Sequence, residues 1–374
     1  MATHELATPD SPSREGFSIR EARKIVHPCF VHRPALYWAD MLITVAIGYG
    51  FANAYVLAPA FSLKQAACLL VSGFALFRVG SFIHEITHMR NGEMLWFRSV
   101  WNVLCGIPML MPSFFYENHI DHHKANHYGT QRDGEYLPLG SSPVYHILLF
   151  LGQVPFLPAY IFIRFLISPL TFVHPRVRHW FLEHASSFVI NYRHRLTIPK
   201  NAPRRVWAAL ELACSLRAAL MLAVIGAGLF PWTRMVEFYV LAVFVLGLNY
   251  NRNLVAHHYR NRGKEMSHQQ QLEDSVNITG HGLLTELFFP LGLRYHALHH
   301  LFPSIPYHNL AWAHRRLVRQ LPEGSLYHTT IFASYWDVLA ELWADARRAG
   351  AAKRVAAAWQ PRDAGAHDAG GAGL

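Results

Sequence analysis

Charge is scarce in this chain. Only 16% of its 374 residues are Asp, Glu, Lys or Arg, against about 25% in an ordinary soluble domain. That deficit, beside 52% hydrophobic residues, argues for a membrane protein. Cysteine is also sparse: Cys29, Cys68, Cys105 and Cys214 form no C-x-x-C pair, which excludes a disulfide framework or a zinc ribbon. Residues 1–20 lack the compact apolar stretch of a signal peptide and are expected to be disordered or loosely attached. The net charge of +10 could mark a nucleic-acid binder. Beside the apolar runs below it reads instead as a membrane protein with its basic residues on the cytoplasmic side, and no nucleic-acid partner is expected.

Four runs are long and apolar enough to cross a bilayer, which takes about 20 residues. They cover about residues 36–57, 65–83, 206–230 and 235–256. Short links through Pro59 and Pro231 pair them into two hairpins. Arg14, Arg20, Arg23, Lys24 and Arg33 precede the first run, whereas only Lys64 lies in the first link. That asymmetry puts the N-terminus, and with it both chain ends, in the cytoplasm. The expected organisation is a cytoplasmic segment over 1–34, a membrane domain over 35–345, and a disordered Ala/Gly-rich tail over 346–374. The arginine and alanine usage of that tail suggests a GC-rich bacterial source and hence an inner membrane.

Two further apolar runs are interrupted. Residues 95–116 contain Arg98, Pro108 and Pro112, and residues 144–172 contain Pro155, Pro158, Arg164 and Pro169.

Histidine is what the chain has in excess, 25 in all. The second apolar run ends in HEITH, with His84, Glu85 and His88. Alone this is the H-E-x-x-H pattern of a zinc protease, with Glu85 as general base. Yet "HIDHH" supplies His119, His122 and His123, and "HALHH" supplies His296, His299 and His300. Residues i, i+3 and i+4 of a helix share one face, so each box aims three imidazoles at one point. The fourth run ends with Asn253 and His257, one turn apart. These nine histidines are too many for one zinc, which takes four ligands. They suit two ions with four or five nitrogens each. Imidazole suits zinc, copper, iron and nickel, so ligand type alone does not choose the metal. His127, His258, His281 and His308 lie near the boxes but break the pattern, and are expected to be surface or hydrogen-bonding residues.

The boxes can meet only on one side of the membrane. Run 95–116 therefore cannot cross once, and one of the three runs between His123 and His257 must lie in the interface or re-enter. Run 144–172 is the best candidate, because its prolines break a helix and Arg164 is costly in lipid. The expected fold is an all-α membrane protein, with four transmembrane helices in two hairpins and a cytoplasmic helical cap holding the histidines.

From His84 to Asn309 the chain resembles the integral-membrane fatty acid desaturases and hydroxylases, the histidine-box di-iron enzymes. The boxes in combination carry the likeness, with "HHLFPSIPYHN" after the last and "YGTQRDGEYLPLG" after the second, which looks like the family's acidic loop. The resemblance implies two irons held by the nine histidines, with Asn253 reaching one of them through water. Three residues separate the histidines of the first box, as in acyl-lipid and sphingolipid desaturases.

O2 is then the co-substrate, and a membrane lipid is the substrate. No H-P-G-G haem motif occurs, so electrons are expected from a separate donor of ferredoxin or cytochrome b5 type. Glu85, Asp121 and Asp274 are candidates to orient ligand imidazoles from outside. The leading expectation is an oxygen-dependent acyl-lipid desaturase. Hydroxylation of a lipid, sphingoid base or carotenoid is the alternative within the family, and a membrane zinc protease the alternative outside it.

Overall fold

The structure is a computed structural model, and it describes residues 17–89, 93–187, 191 and 194–353. It is mostly helical. The chain begins with α1 (Ile19–Val26), α2 (Pro34–Leu57) and α3 (Leu63–His88). Short α4 (Leu95–Trp101) and α5 (His119–His122) follow, then α6 (Tyr145–Gly152), α7 (Leu157–Ile167) and α8 (Pro175–Ala185). A second long pair, α9 (Arg204–Gly226) and α10 (Thr233–Asn253), precedes α11 (His268–Asp274) and β1 (Asn277–Ile278). The remainder is α12 (Gly282–Phe288), α13 (His296–Leu301), α14 (Tyr307–Gln320), β2 (Ile331–Phe332) and α15 (Tyr335–Ala351). The strands pair in parallel over two residues each, a small exception to an all-α architecture.

The four expected spans correspond to α2, α3, α9 and α10. Helix α3 starts at Ser62, whose side chain caps the Gln65 amide, and runs unbroken through HEITH to His88. His84 and His88 thus belong to the long apolar helix itself. Helices α3 and α10 lie side by side, with Gly73 against the Phe244 ring. A Cβ at Gly73 would come within 2.2 Å of that ring, so only glycine permits this approach. Both helices deliver their last turns, His84 and Asn253, to one place.

A fifth stretch, Tyr145–Val173, is also long and apolar enough to cross a membrane, so five candidate spans stand where four were expected. Its path is informative. The Phe150 ring stacks on Tyr250, Val154 packs near Gly247, and Tyr239 donates to the Pro155 carbonyl. From 150 to 155 the chain therefore follows α10 backwards. Then α7 joins the start of α9: Phe165 packs with Trp207, Cys214 and Ala218, and Ser168 Oγ donates to Glu211 at 2.6 Å.

Run 95–116 folds back on itself. Trp101 donates to the Val79 carbonyl at 2.8 Å and Tyr49 to the Leu104 carbonyl at 2.7 Å. Asn102 then holds both the amide and the hydroxyl of Ser113 at 2.9 Å, closing the turn that brings Phe114–Tyr116 back to α5.

At the chain ends, Phe17, Ala22 and Val26 are buried against α13 and α14, so the N-terminal segment is ordered from there. The expected disorder of 1–16 lies outside the described residues. Helix α15 runs past residue 346 to Ala351 because Val338, Leu342 and Ala346 are buried in the core. The rest of the expected tail, from 354, lies outside the described residues.

Candidate metal centre

Two compact groups of imidazoles face each other. His84, His88, His119 and His299 form one, and His122, His257, His296 and His300 the other. Within each, the potential ligand nitrogens all lie within 4.8 Å of one another. Nε2 of His123 sits 3.0 Å from that of His119 and 3.1 Å from that of His299, which adds a fifth nitrogen to the first group. Helix spacing explains the local geometry. His84 and His88 are one turn apart at the end of α3, and α5 and α13 each begin with the first histidine of a box. Each box is split between the groups: His119 and His299 go to the first, His122 and His300 to the second. His257 follows α10 in an extended bridge to Ser275.

These nitrogens fit metal ions better than they fit one another. His84 Nε2 and His88 Nε2 are buried and have no hydrogen-bond partner. In the second group, Nε2 of His257 lies 3.2 Å from His122 and 2.9 Å from His296. Right-angled ligands about 2.1 Å from an ion are about 3.0 Å apart, and tetrahedral ones about 3.4 Å. The packing is nearer the right-angled case. Asn253 lines the narrow space between the groups with His84, His119, His122, His257 and His296.

An outer ring of acceptors sets the tautomers. His119 Nδ1 faces Glu135 at 2.9 Å and His122 Nδ1 faces Asp133 at 2.8 Å. His257 Nδ1 faces the Tyr128 hydroxyl at 2.7 Å, which donates to Asp274 at 2.9 Å. An acceptor at Nδ1 holds the proton there and leaves Nε2 free to bind metal. Asp133 is itself fixed by the amides of Gly129 and Glu135, each at 2.9 Å, and Glu135 by the Tyr116 hydroxyl at 2.8 Å.

The three expected orienting acids fare differently. Asp121 points away from the imidazoles of the boxes. It pairs with Lys124 at 2.5 Å and comes no nearer than 3.9 Å to His127. One position along from His122 on so short a helix, its side chain leaves the ligand face. Asp274 acts through Tyr128, with Tyr136 as a second donor at 2.8 Å. Glu85 accepts from the Tyr37 hydroxyl at 2.6 Å and the Tyr307 amide at 3.2 Å. It stays 3.7 Å from His84 Nδ1, beyond a hydrogen bond. So tethered, it is not placed as a protease base. Asp133 and Glu135, which do touch ligand rings, were not singled out from sequence. They sit in a loop with no periodicity, and the acidic segment "RDGE" was the only signal. His127, His258, His281 and His308 all lie outside the groups.

Burial governs the protonation of these groups. His119, His123, His257, His296, His299 and His300 are held well below the ordinary imidazole value by burial and then by one another's charge. His122 is the exception. Burial opposes its charging, but Asp133, Glu135 and Asp274 outweigh that and raise it. Burial pushes Glu135 up to about 7, against the pull of His122, and Asp274 up to about 6, against its tyrosine donors.

A cavity of about 260 Å³ opens beside the first group. Phe77, Gly80 and His84 of α3, Leu157, Ile161 and Arg164 of α7, and Val245, Leu246 and Asn253 of α10 form its walls. Its lining is mostly apolar, with polar groups both at the histidines and around Arg164. A concave, mostly apolar cavity with a few polar groups is the usual form of a small-molecule site.

Long apolar helices that carry two buried histidine groups give the architecture of a membrane protein with a candidate metal centre. The family model for fatty acid desaturases matches residues 60–332, and the chain belongs to that family of oxidoreductases. Among curated proteins it is similar to a ceramide hydroxylase of Caulobacter vibrioides (strain NA1000 / CB15N). The two are 38% identical over 342 residues, covering 90% of this chain and 95% of the relative.

Proposed function

We propose that this chain is an oxygen-dependent membrane lipid hydroxylase acting on a ceramide or a related sphingoid lipid. This replaces the desaturation expected from sequence. The observation that carries it is the 38% identity to a ceramide hydroxylase across nearly the whole of both chains. Desaturation and hydroxylation both begin by removing hydrogen from a methylene, so the histidine boxes serve either outcome. Two irons are the metals proposed, the first held by His84, His88, His119, His123 and His299, the second by His122, His257, His296 and His300. Asn253, which lines the space between the two groups, would reach one of them through water. When bound, the irons supply the oxidising power drawn from O2. The protein's part is to fix the imidazoles through Asp133, Glu135 and Tyr128, and to keep the cavity dry around the chain.

The proposed topology has four crossings, α2, α3, α9 and α10, with Tyr145–Val173 re-entering. Support comes from its contacts. It descends along α10 from Tyr250 to Tyr239, and it returns along α9 to reach Glu211. Convergence of all nine histidines also requires an even number of crossings between His123 and His257. With the basic N-terminal segment inside, the histidine cap and both chain ends are cytoplasmic, and a bacterial inner membrane is the proposed location. A separate ferredoxin or cytochrome b5-type protein is the proposed electron donor.

The test is to incubate purified, iron-loaded protein with reductant, O2 and a long-chain ceramide, then weigh the product. Gain of one oxygen atom supports hydroxylation, and loss of two hydrogens restores the desaturase reading. Metal analysis that finds a single zinc per chain would refute both.

A further inference from the structure

The cavity is also lined by polar groups that the metal site does not use, and Arg164 is the most deeply committed of them. Arg164, in α7, is only 2% exposed and lines the cavity on the same helix face as Leu157 and Ile161. Most of its guanidinium is committed. Nε donates to the Ala185 carbonyl at 2.9 Å, and Nη2 donates to Ser186 at 2.8 Å and pairs with Glu211 at 2.5 Å. Nη1 is buried and has no acceptor. The Ser187 hydroxyl, lining the same cavity, is also buried without a partner.

The charge around Arg164 is unbalanced as well. Glu211 is shared, because its other oxygen pairs with Arg178 of α8. One carboxylate thus answers two guanidiniums. Rings of Phe115, Phe165 and Phe181 pack against the Arg164 guanidinium at 4.7, 4.6 and 4.7 Å and shield it from water. A buried N–H donor of a charged group left without an acceptor is costly. An oxygen acceptor entering the cavity would remove that cost, and a planar guanidinium suits a carbonyl or a hydroxyl.

We propose that Arg164 is a specificity-determining residue that anchors the polar end of the lipid. Nη1 donates to an amide carbonyl or hydroxyl oxygen, and Ser187 assists. This rests on the lipid hydroxylase reading and adds a position for the reaction. Phe115, under Arg164, is followed by Tyr116, whose ring stacks on His119 at 4.8 Å. The anchor is thus separated from a metal-site imidazole by two adjacent aromatic residues. The oxidised methylene then lies close to the headgroup, and the rest of the chain runs on between Phe77, Met109 and Leu246.

The experiment compares full-length wild type and Arg164→Gln, both iron-loaded in lipid nanodiscs with a chemical reductant. The substrates are a long-chain ceramide and a hydrocarbon of equal length without amide or hydroxyl. Wild type is expected to favour the ceramide. In Arg164→Gln the ceramide KM should rise roughly tenfold or more. The product hydroxyl, mapped by tandem mass spectrometry, should scatter over neighbouring carbons while iron content holds. A fall in kcat alone, with KM and product position unchanged, makes Arg164 merely structural and overturns the proposal.

A second measurement needs no variant. A ceramide with a photoreactive group beside its amide is cross-linked to wild type, and label is expected on peptides containing Phe115, Arg164 or Ser187. Label confined to other peptides overturns the anchor. Failure of wild type to oxidise ceramide, with this labelling intact, would instead sink the hydroxylase reading alone.

Discussion

Asp133 Oδ2 lies 2.8 Å from His122 Nδ1, and both side chains are buried. The carboxylate is fully buried, held by two backbone amides and by the ring it orients. Asp133→Asn keeps the volume but removes the charge that fixes the tautomer. Affinity for the second metal should fall about 10- to 100-fold, as losses of such outer partners do. Iron titration with the chain in nanodiscs checks this. Full retention of two irons at limiting metal would contradict it.

Asp121 gives the opposite expectation although it sits inside a histidine box. Its pair with Lys124 is partly solvent-exposed, and such pairs are worth about 0–1 kcal/mol. Asp121→Asn should leave iron content unchanged and move the thermal midpoint little. Loss of iron in this variant would return Asp121 to the ligand-orienting set.

Tyr128 links His257 to Asp274. Tyr128→Phe leaves a buried carboxyl with one tyrosine donor instead of two, and leaves Ser275 Oγ, at 3.1 Å, as the remaining partner of His257 Nδ1. The variant should weaken the second metal less than Asp133→Asn, because the partner lost is neutral. Matched iron titrations of the two variants rank them, and equal losses would contradict this order.

Acid should destabilise the metal-free protein from about pH 6.5 downward. Six imidazoles are held well below the unfolded value, so as pH falls through 6.5 the unfolded chain takes up protons that the folded chain refuses. Each costs up to about 1.4 kcal/mol per pH unit. Glu135, Asp274 and His122 act in the opposite sense. Their folded values are raised, so their contribution is present at low pH and lost as pH rises through about 7, about 6 and above the ordinary imidazole value, respectively. Six groups outweigh three between pH 6.5 and 5. Thermal melts of the apo protein over that interval should show a falling midpoint, and a level or rising one would overturn the balance.

Gly73→Val tests the α3–α10 contact. Its Cβ would meet the Phe244 ring at 2.2 Å, well inside van der Waals contact. Overpacking of this kind typically costs about 1–3 kcal/mol, and separating the two helices also moves His84 away from Asn253. Stability and iron content should fall together, and Phe244→Ala in the same chain should recover part of both.

The histidine boxes, the helix faces that carry them and the four long apolar helices were legible in sequence. Helical periodicity and hydrophobic length are local properties, written within a few turns of chain. The prolines and Arg164 also singled out run 144–172, which is the fifth stretch long and apolar enough to cross a membrane. Tertiary structure decided what distance along the chain conceals. It divided each H-x-x-H-H box between two groups and sent His123 toward the first. It brought Asp133 and Glu135 onto His122 and His119 from a loop without periodicity. It turned Asp121 outward and left one nitrogen of Arg164 buried without an acceptor. A hydrogen bond between groups far apart in sequence depends on where the backbone turns, and no spacing rule encodes that.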